Sequence, residues 1–582
     1  MLYVKFSNNI MKKSDQPTLN GGQLIVRALE THGTKRVFCV PGESYLPVLD
    51  ALYDSPIHTT VCRHEGAAAM MAEATGKLQG CPGICLVTRG PGASNACAGL
   101  HVALQDSTPL ILLIGQIGIH LREREAFQEV DYRRFLGAST KWVAEIDNAD
   151  RIDEFISRAF HTATSGRPGP VALALPETTL SAYSEARQVT PWQQVETHPG
   201  HDEMQQLTHL MKDAVRPIAI LGGSRWNATT VDTFQQLAQE WQLPVACSFR
   251  RQMLFDHQHP NYAGDVGIGI NPALQQYIKS SDLVILLGGR LSEIPSQNYT
   301  LLDIPTTRQT LVHVYPGAEE LGRVYHPNLA INASPVSFID ALKKMNRPFN
   351  IDASRGDIVK QCHARYNAWS SPDICSSTDV KAQDVKSGDV NMREIISTLQ
   401  NMLPNDAIIT NGAGNYASWI HRFWKFRHYG SQLAPTSGSM GYGLPAGVAA
   451  KLDQPDRCVV AFAGDGCLQM TLQEIGTAMQ YQVRLIIIVV DNSSYGTIRM
   501  HQEKQFPGRV CATDLQNPDF AALARAYGAI GYTVDRNEQF HTALSEALEA
   551  TTPSLIHIKT SAEAITPSTT LSAIRKAAEA ES

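Results

Sequence analysis

The stretch AFAGDGCLQMTLQEIGTAMQYQVRLIIIVVDNSSYG, residues 461–496, decides the fold. With Val459 and Val460 before it, it opens on a short apolar run that stops at Gly464-Asp465-Gly466. Met470, Ile475, Ala478 and Met479 then recur at helical spacing, and residues 485–490 are a β-branched run that reads as a buried strand. Strand, turn, helix and strand make one βαβ unit, whose right-handed crossover sets the two strands parallel. Both turns therefore open at the carboxyl edge of one sheet, where open α/β sheets bind ligands.

Outward from this unit the same alternation recurs. Residues 37–40 form a strand stopped by Pro41-Gly42, and residues 84–88 form one ending in Arg89-Gly90-Pro91-Gly92. Further strands are predicted at 59–62, 110–114 and 171–175, with helices at 23–32, 46–53 and 66–78. In the middle of the chain, residues 217–221, 283–287 and 311–314 are short apolar strands with glycine or proline stops. Residues 407–410 followed by Asn411-Gly412-Ala413-Gly414 echo the layout of residues 37–42. The pattern predicts an α/β class with three Rossmann-like parallel-sheet domains, at 18–185, 202–345 and 390–565. Polar stretches at 184–201 and 351–389 read as linkers, and the tail from Thr566 ends in a short helix. The G-x-G at 267–269 does not immediately follow a clear strand, so a nucleotide site there is the lesser reading.

Composition narrows the class of function. Fifty basic against 56 acidic residues, with no block of like charge, exclude a nucleic-acid or membrane-surface partner. Eleven scattered cysteines fit a reducing, cytoplasmic setting better than a disulfide framework, and Cys81 and Cys85 have no second pair at zinc spacing. No run reaches the roughly 18 apolar residues of a membrane span. Residues 1–20 lack the apolar middle of a signal peptide, and Met11-Lys12-Lys13 reads as a second possible start, leaving residues 1–17 as a lead-in.

The two turns of the opening unit carry what a metal-bridged diphosphate needs. Asp465 and Asn492, 27 residues apart, offer hard oxygen ligands, and the Ser494 carbonyl a third. Mg²⁺ takes such ligands at roughly 2.0–2.1 Å, completed by phosphates and water. Gly464, Gly466 and Gly496 let the backbone approach phosphate, flanked by Cys467 and Tyr495. A lone Gly-Asp-Gly is also an ordinary strand-to-helix turn. Followed by Asn492-Ser-Ser-Tyr-Gly496 after an apolar strand, it resembles the signature of thiamine diphosphate enzymes.

Further landmarks extend the resemblance over residues 20–565. They are Arg63-His64-Glu65, Arg89 to Asn95, Gly115-Gln116, Ala126-Phe127-Gln128-Glu129, Thr140-Lys141-Trp142, Ser165 to Pro170 and Ser439 to Pro445. Together they resemble the acetolactate synthase (acetohydroxyacid synthase) large subunits, within the superfamily of pyruvate decarboxylases and oxidases. The resemblance implies thiamine diphosphate and Mg²⁺ as cofactors, and decarboxylation of a 2-oxo acid with carboligation to a second carbonyl, in branched-chain amino acid biosynthesis. It implies that Glu65 is the glutamate that hydrogen-bonds the aminopyrimidine, with Gln128 beside it in the catalytic set. Met440, next to Ser439, is similar to the residue that props the two cofactor rings together. Residues 411–416, including Asn411, Ala413, Gly414, Asn415 and Tyr416, would clasp the diphosphate. Because the family builds each site from two subunits, the active unit is expected to be a homodimer or homotetramer.

Three departures temper the implication. Pro41-Gly42 is followed by Glu43, as in pyruvate decarboxylases, whose carboxylate helps to release aldehyde; this keeps a non-ligating decarboxylase in view. His501 falls where the family has an acceptor-choosing tryptophan. Gly288-Gly289-Arg290 resembles a flavin-contacting Gly-Ala-Arg, but Leu291-Ser292-Glu293 replaces the acidic pair and arginine that follow, which leaves FAD open. A non-catalytic cofactor-binding protein is the remaining alternative, and the presence of Glu65, Asp465 and Asn492 together argues against it.

Overall fold

A computed structural model describes residues 17–187, 189–345, 354–372 and 390–581. The expected lead-in falls, but for Pro17, outside the described residues. Three six-stranded sheets, parallel throughout, are built from successive parts of the chain. The opening stretch supplies two neighbouring central strands, Val459–Gly464 and Ile486–Asp491, in parallel register from Val460↔Ile486 to Gly464↔Val490. Both are buried along their whole length, which is why they read as continuous apolar runs.

The first and third sheets share one strand order. Numbered within each domain it is 2-1-3-4-6-5, so each sheet reverses direction between its first and third strands. In the first sheet these are Arg36–Cys39 and Gly83–Val87; in the third, Ile408–Asn411 and Val459–Gly464. The middle sheet instead has the order 3-2-1-4-5-6 of a dinucleotide-binding fold.

First and third domains share a continuous hydrophobic core running from Phe38 and Leu112 to Ile408 and Val489. Its hinge is the pairing of helices Glu65–Gln79 and Gly443–Asp453, whose alanines and glycines allow close approach. A buried polar cluster fixes that pairing: Tyr442 donates to Glu73 at 2.5 Å, Lys77 lies 3.0 Å from Glu73 and also bonds Asp106, and Thr436 donates its N–H to Asp106 at 2.7 Å.

The structure corrects several expectations. The second linker contains the helix Ser354–Ser370; its buried stripe of Arg355, Val359, Cys362, Tyr366 and Ser370 is too polar to register as amphipathic. The rest of that linker, residues 351–353 and 373–389, lies outside the described residues. The first linker opens with the strand Tyr183–Glu185, which pairs antiparallel with Thr18–Asn20. Gly264 belongs to a strand, Tyr262–Val266, hidden by its glycine and aspartate; it is the sheet's edge strand, away from the switch point that a nucleotide would use. The helix after Gly466 is two short ones, Asp465–Gln469 and Glu474–Gln480, and Met470 between them is 49% exposed.

Candidate active site

At the switch point of the third sheet, three turns and the loop before Met440 enclose a cavity of about 260 Å³. It is lined by Ala413, Gly414, Asn415 and Tyr416, by Gly464 to Cys467, by Asn492, Ser494, Tyr495 and Gly496, and by Met440. Asn411 and Ser439 do not line it. Asn411 is buried beneath, accepting from His421 at 3.2 Å, and Ser439 bonds Ser437 at 2.9 Å. The turns are braced against one another. Thr497 Oγ1 accepts the Asn415 N–H and donates to the Asn415 side chain, both at 3.0 Å. Two glycines are obligatory for this fit: a Cβ on Gly464 would stand 2.7 Å from the Tyr416 ring, and one on Gly466 2.6 Å from the Tyr495 ring.

Asp465 is 4% exposed and accepts from Gly466 N–H at 2.8 Å, Ser494 N–H at 3.2 Å and the Asn517 amide at 2.7 Å. Burial, with Asp491 close by, pushes its carboxyl up to about 6. Asn517 also donates to Asp491 at 2.7 Å, and Asp491 pairs with the buried His557 at 2.8 Å. Burial works against the Asp491 charge, but His557, the Ser493 N–H and Asn517 together hold it at about 2. The Asn492 side-chain oxygen faces the same turn, 3.2 Å from Ser494 N. The donor set of one carboxylate, one amide oxygen and the Ser494 carbonyl fits a hard dication that a diphosphate completes. Among the described residues no group of three His, Cys, Asp or Glu side chains is placed to hold a metal, so a zinc-type site has no counterpart here.

Asn517, His557 and Asp491 were not singled out from the sequence. Asn517 lies 52 residues beyond Asp465, in a stretch without periodicity, and only the fold brings it there.

The first-domain residues gather at the matching switch point of their own sheet. Gly42 packs on Thr88, where a Cβ would stand 2.5 Å from the threonine Cβ. Glu65 is the first residue of its helix, behind a His64 N-cap, half-buried, and accepts from Asn95 at 2.9 Å. The Arg63 N–H donates to Glu474 of the third domain at 3.1 Å, pinning this end of the helix. Pro41 is exposed, and Glu43, 69% exposed, bonds Arg89 at 2.7 Å. Gln128, in a left-handed conformation with φ 63°, packs on Gly90. None of Pro41, Gly42, Glu43, Glu65 and Gln128 lines the cavity of their own chain.

Comparison with known proteins gives the family of the chain. The chain belongs to the thiamine pyrophosphate enzymes: residues 19–135 match the N-terminal TPP binding domain of that family, 204–342 the central domain and 412–558 the C-terminal TPP binding domain. Within it the chain is similar to acetolactate synthase large subunits. It is 29% identical over 548 residues to the isozyme 2 large subunit of Escherichia coli, covering 93% of this chain and 95% of that one. It is 28% identical over 550 residues to a probable large subunit of Methanocaldococcus jannaschii, covering 93% and 92%, and 27% identical over 527 residues to that of Lactococcus lactis, covering 89% and 88%. No helix among the described residues is long and apolar enough to cross a membrane.

Proposed function

We propose that the chain is a Mg²⁺- and thiamine diphosphate-dependent carboligase, which decarboxylates a 2-oxo acid such as pyruvate and joins the remaining fragment to a second carbonyl. The observation that carries this reading is the convergence of Asp465, Asn492, the 413–416 turn and Met440 on one cavity. Asp465, Asn492 and the Ser494 carbonyl would hold the metal, and the backbone around Ala413 to Tyr416 the diphosphate. When bound, thiamine diphosphate supplies a nucleophilic carbon and an electron sink for loss of carbon dioxide.

The remaining work falls to side chains. Glu65, at a helix N-terminus with one oxygen held by Asn95, is fixed in orientation and suited to relay a proton to the cofactor's pyrimidine. Its absence from its own chain's cavity, together with exposed Leu46, Phe127, Met470 and Ile498 around the two half-sites, supports a homodimer or homotetramer in which Glu65 of one copy faces the cavity of another. Residues 18–185 would then hold the pyrimidine, 390–565 the diphosphate, and 202–345 the space between. Free cysteines, with no disulfide among the described residues, support a cytoplasmic setting. Glu43 favours a second reading, release of aldehyde instead of ligation, because it puts a carboxylate on the switch-point turn.

The test is incubation of purified protein with thiamine diphosphate, Mg²⁺ and pyruvate, with products identified by NMR. Acetolactate or another 2-hydroxy-3-oxo acid is expected. Acetaldehyde alone would favour the second reading, and no consumption of any 2-oxo acid would end both.

A further inference from the structure

The middle sheet has the strand order of a dinucleotide-binding fold, and its switch point lies between the strands Pro217–Leu221 and Leu283–Leu287. The turns that follow, Gly222-Gly223 and Gly288-Gly289, mark the crevice where the partial resemblance at Arg290 would put a flavin. Protein fills it instead. The two turns touch: a Cβ on Gly223, at φ 68°, would stand 1.7 Å from the Gly288 carbonyl oxygen. Arg251, 4% exposed, crosses to the first domain and donates to the Asp106 carbonyl at 2.9 Å, and Arg290 donates to the Gln105 carbonyl at 2.7 Å.

What space remains is divided. Arg251 and Gly223 line both of two cavities, one of about 260 Å³ and one, at the switch point itself, of about 70 Å³. The switch-point cavity is far below the roughly 300–1,000 Å³ of ordinary small-molecule sites, and the other, equal in volume to the third-domain cavity, would have to take a flavin dinucleotide, which is larger than most ligands of such sites.

Charge points the same way. A dinucleotide's diphosphate needs uncommitted donors, yet in the larger cavity Lys77 is paired with Glu73 and Asp106 and Arg225 with Glu196 at 2.6 Å, and at the switch point Arg251 and Arg290 each give a donor to a first-domain carbonyl. The larger cavity also holds Glu196, whose Oε2 is buried without a hydrogen-bond partner among the described residues, a poor neighbour for phosphate.

We infer that this chain works without flavin, and that Arg251 and Arg290 occupy the crevice to dock the middle domain onto the first. The neighbouring Arg250 extends the same junction to the third domain by donating to the Pro435 carbonyl, one residue before Thr436 joins Asp106. The loop leading to Ser439 and Met440 is thereby anchored by side chains of the first and middle domains.

The test uses the wild-type full-length protein, purified from cells supplied with riboflavin and loaded with thiamine diphosphate and Mg²⁺. After denaturation the supernatant is read for flavin fluorescence, and intact protein is titrated with FAD while fluorescence quenching is followed. The expected result is flavin far below one per chain and no saturable quenching. Stoichiometric flavin, or saturable quenching on titration, overturns the inference. Neither readout depends on which product the enzyme makes, so failure of the carboligase reading leaves this test intact.

Discussion

Asp465→Asn separates the cost of burying a charge from the use made of it. In the free protein burial pushes the carboxyl from an ordinary 3.8 to about 6, about 3 kcal/mol of disfavour for the charged form. The amide removes that cost. It also turns an NH₂ toward either Gly466 N–H or the Ser494 and Asn517 donors, and opposing a buried donor costs about 1–3 kcal/mol. The two terms nearly cancel, so the melting temperature of the cofactor-free variant should stay within a few degrees of wild type. Binding should not be spared. Unit charges about 4 Å apart attract by roughly 4 kcal/mol at an effective dielectric of 20, and a dication in contact with the carboxylate feels at least as much. Losing most of this corresponds to about a 100- to 1,000-fold weaker affinity for thiamine diphosphate in the presence of Mg²⁺. Calorimetric titration and a thermal melt of the same sample measure both quantities. Wild-type affinity would remove Asp465 from the metal site. Collapse of the cofactor-free fold would show that its role is structural.

Glu65→Gln keeps the size and one acceptor but cannot relay a proton, so turnover should fall by about 10²–10⁴ with cofactor affinity nearly unchanged; an unaltered exchange rate of the cofactor's acidic proton, followed by NMR, would exclude the role. Glu43→Gly removes the carboxylate that bonds Arg89 at the first-domain switch point and should raise the ratio of ligated product to free aldehyde, an unchanged ratio and pH profile returning Glu43 to an ordinary surface ion pair. At the other end of the chain, the hydrogen bonds from Arg575 hold the buried Glu503 carboxyl at about 2, below its ordinary 4.5, tying helix Leu571–Glu581 to helix Gly496–Gln505. A depressed carboxyl stabilises above its unfolded value and loses that stabilisation as pH falls from about 4.5 toward about 2. Hydrogen exchange of residues 571–581 should therefore accelerate across that window in wild type, and already be fast at neutral pH in Arg575→Ala; equal protection in both proteins would show that the helix docks without the ion pair.

Local sequence determined the repeating strand–turn–helix order and the turns that line the third-domain cavity. Fully buried parallel strands are nearly all apolar, and glycine and proline mark their ends, so Val459–Gly464 and Ile486–Asp491 were legible from pattern alone. Asp465 and Asn492 were legible because each stands directly at the end of such a strand, where topology aims it into the crevice. Strand Tyr262–Val266 and helix Ser354–Ser370 were not, because their buried faces include glycine, aspartate, arginine and serine, held by contacts that periodicity does not register. The strand order, too, was decided by tertiary structure: it makes the first and third sheets alike and the middle one different, although all three read alike along the chain. So was the state of each ionisable group. Asp465 and Asp491 are separated by 26 residues of sequence and joined by one amide from Asn517, and their opposite shifts arise from burial and hydrogen-bond partners that only folding assembles. The Arg251 that closes the middle crevice is of the same kind, since its carbonyl partner belongs to another domain, 145 residues away.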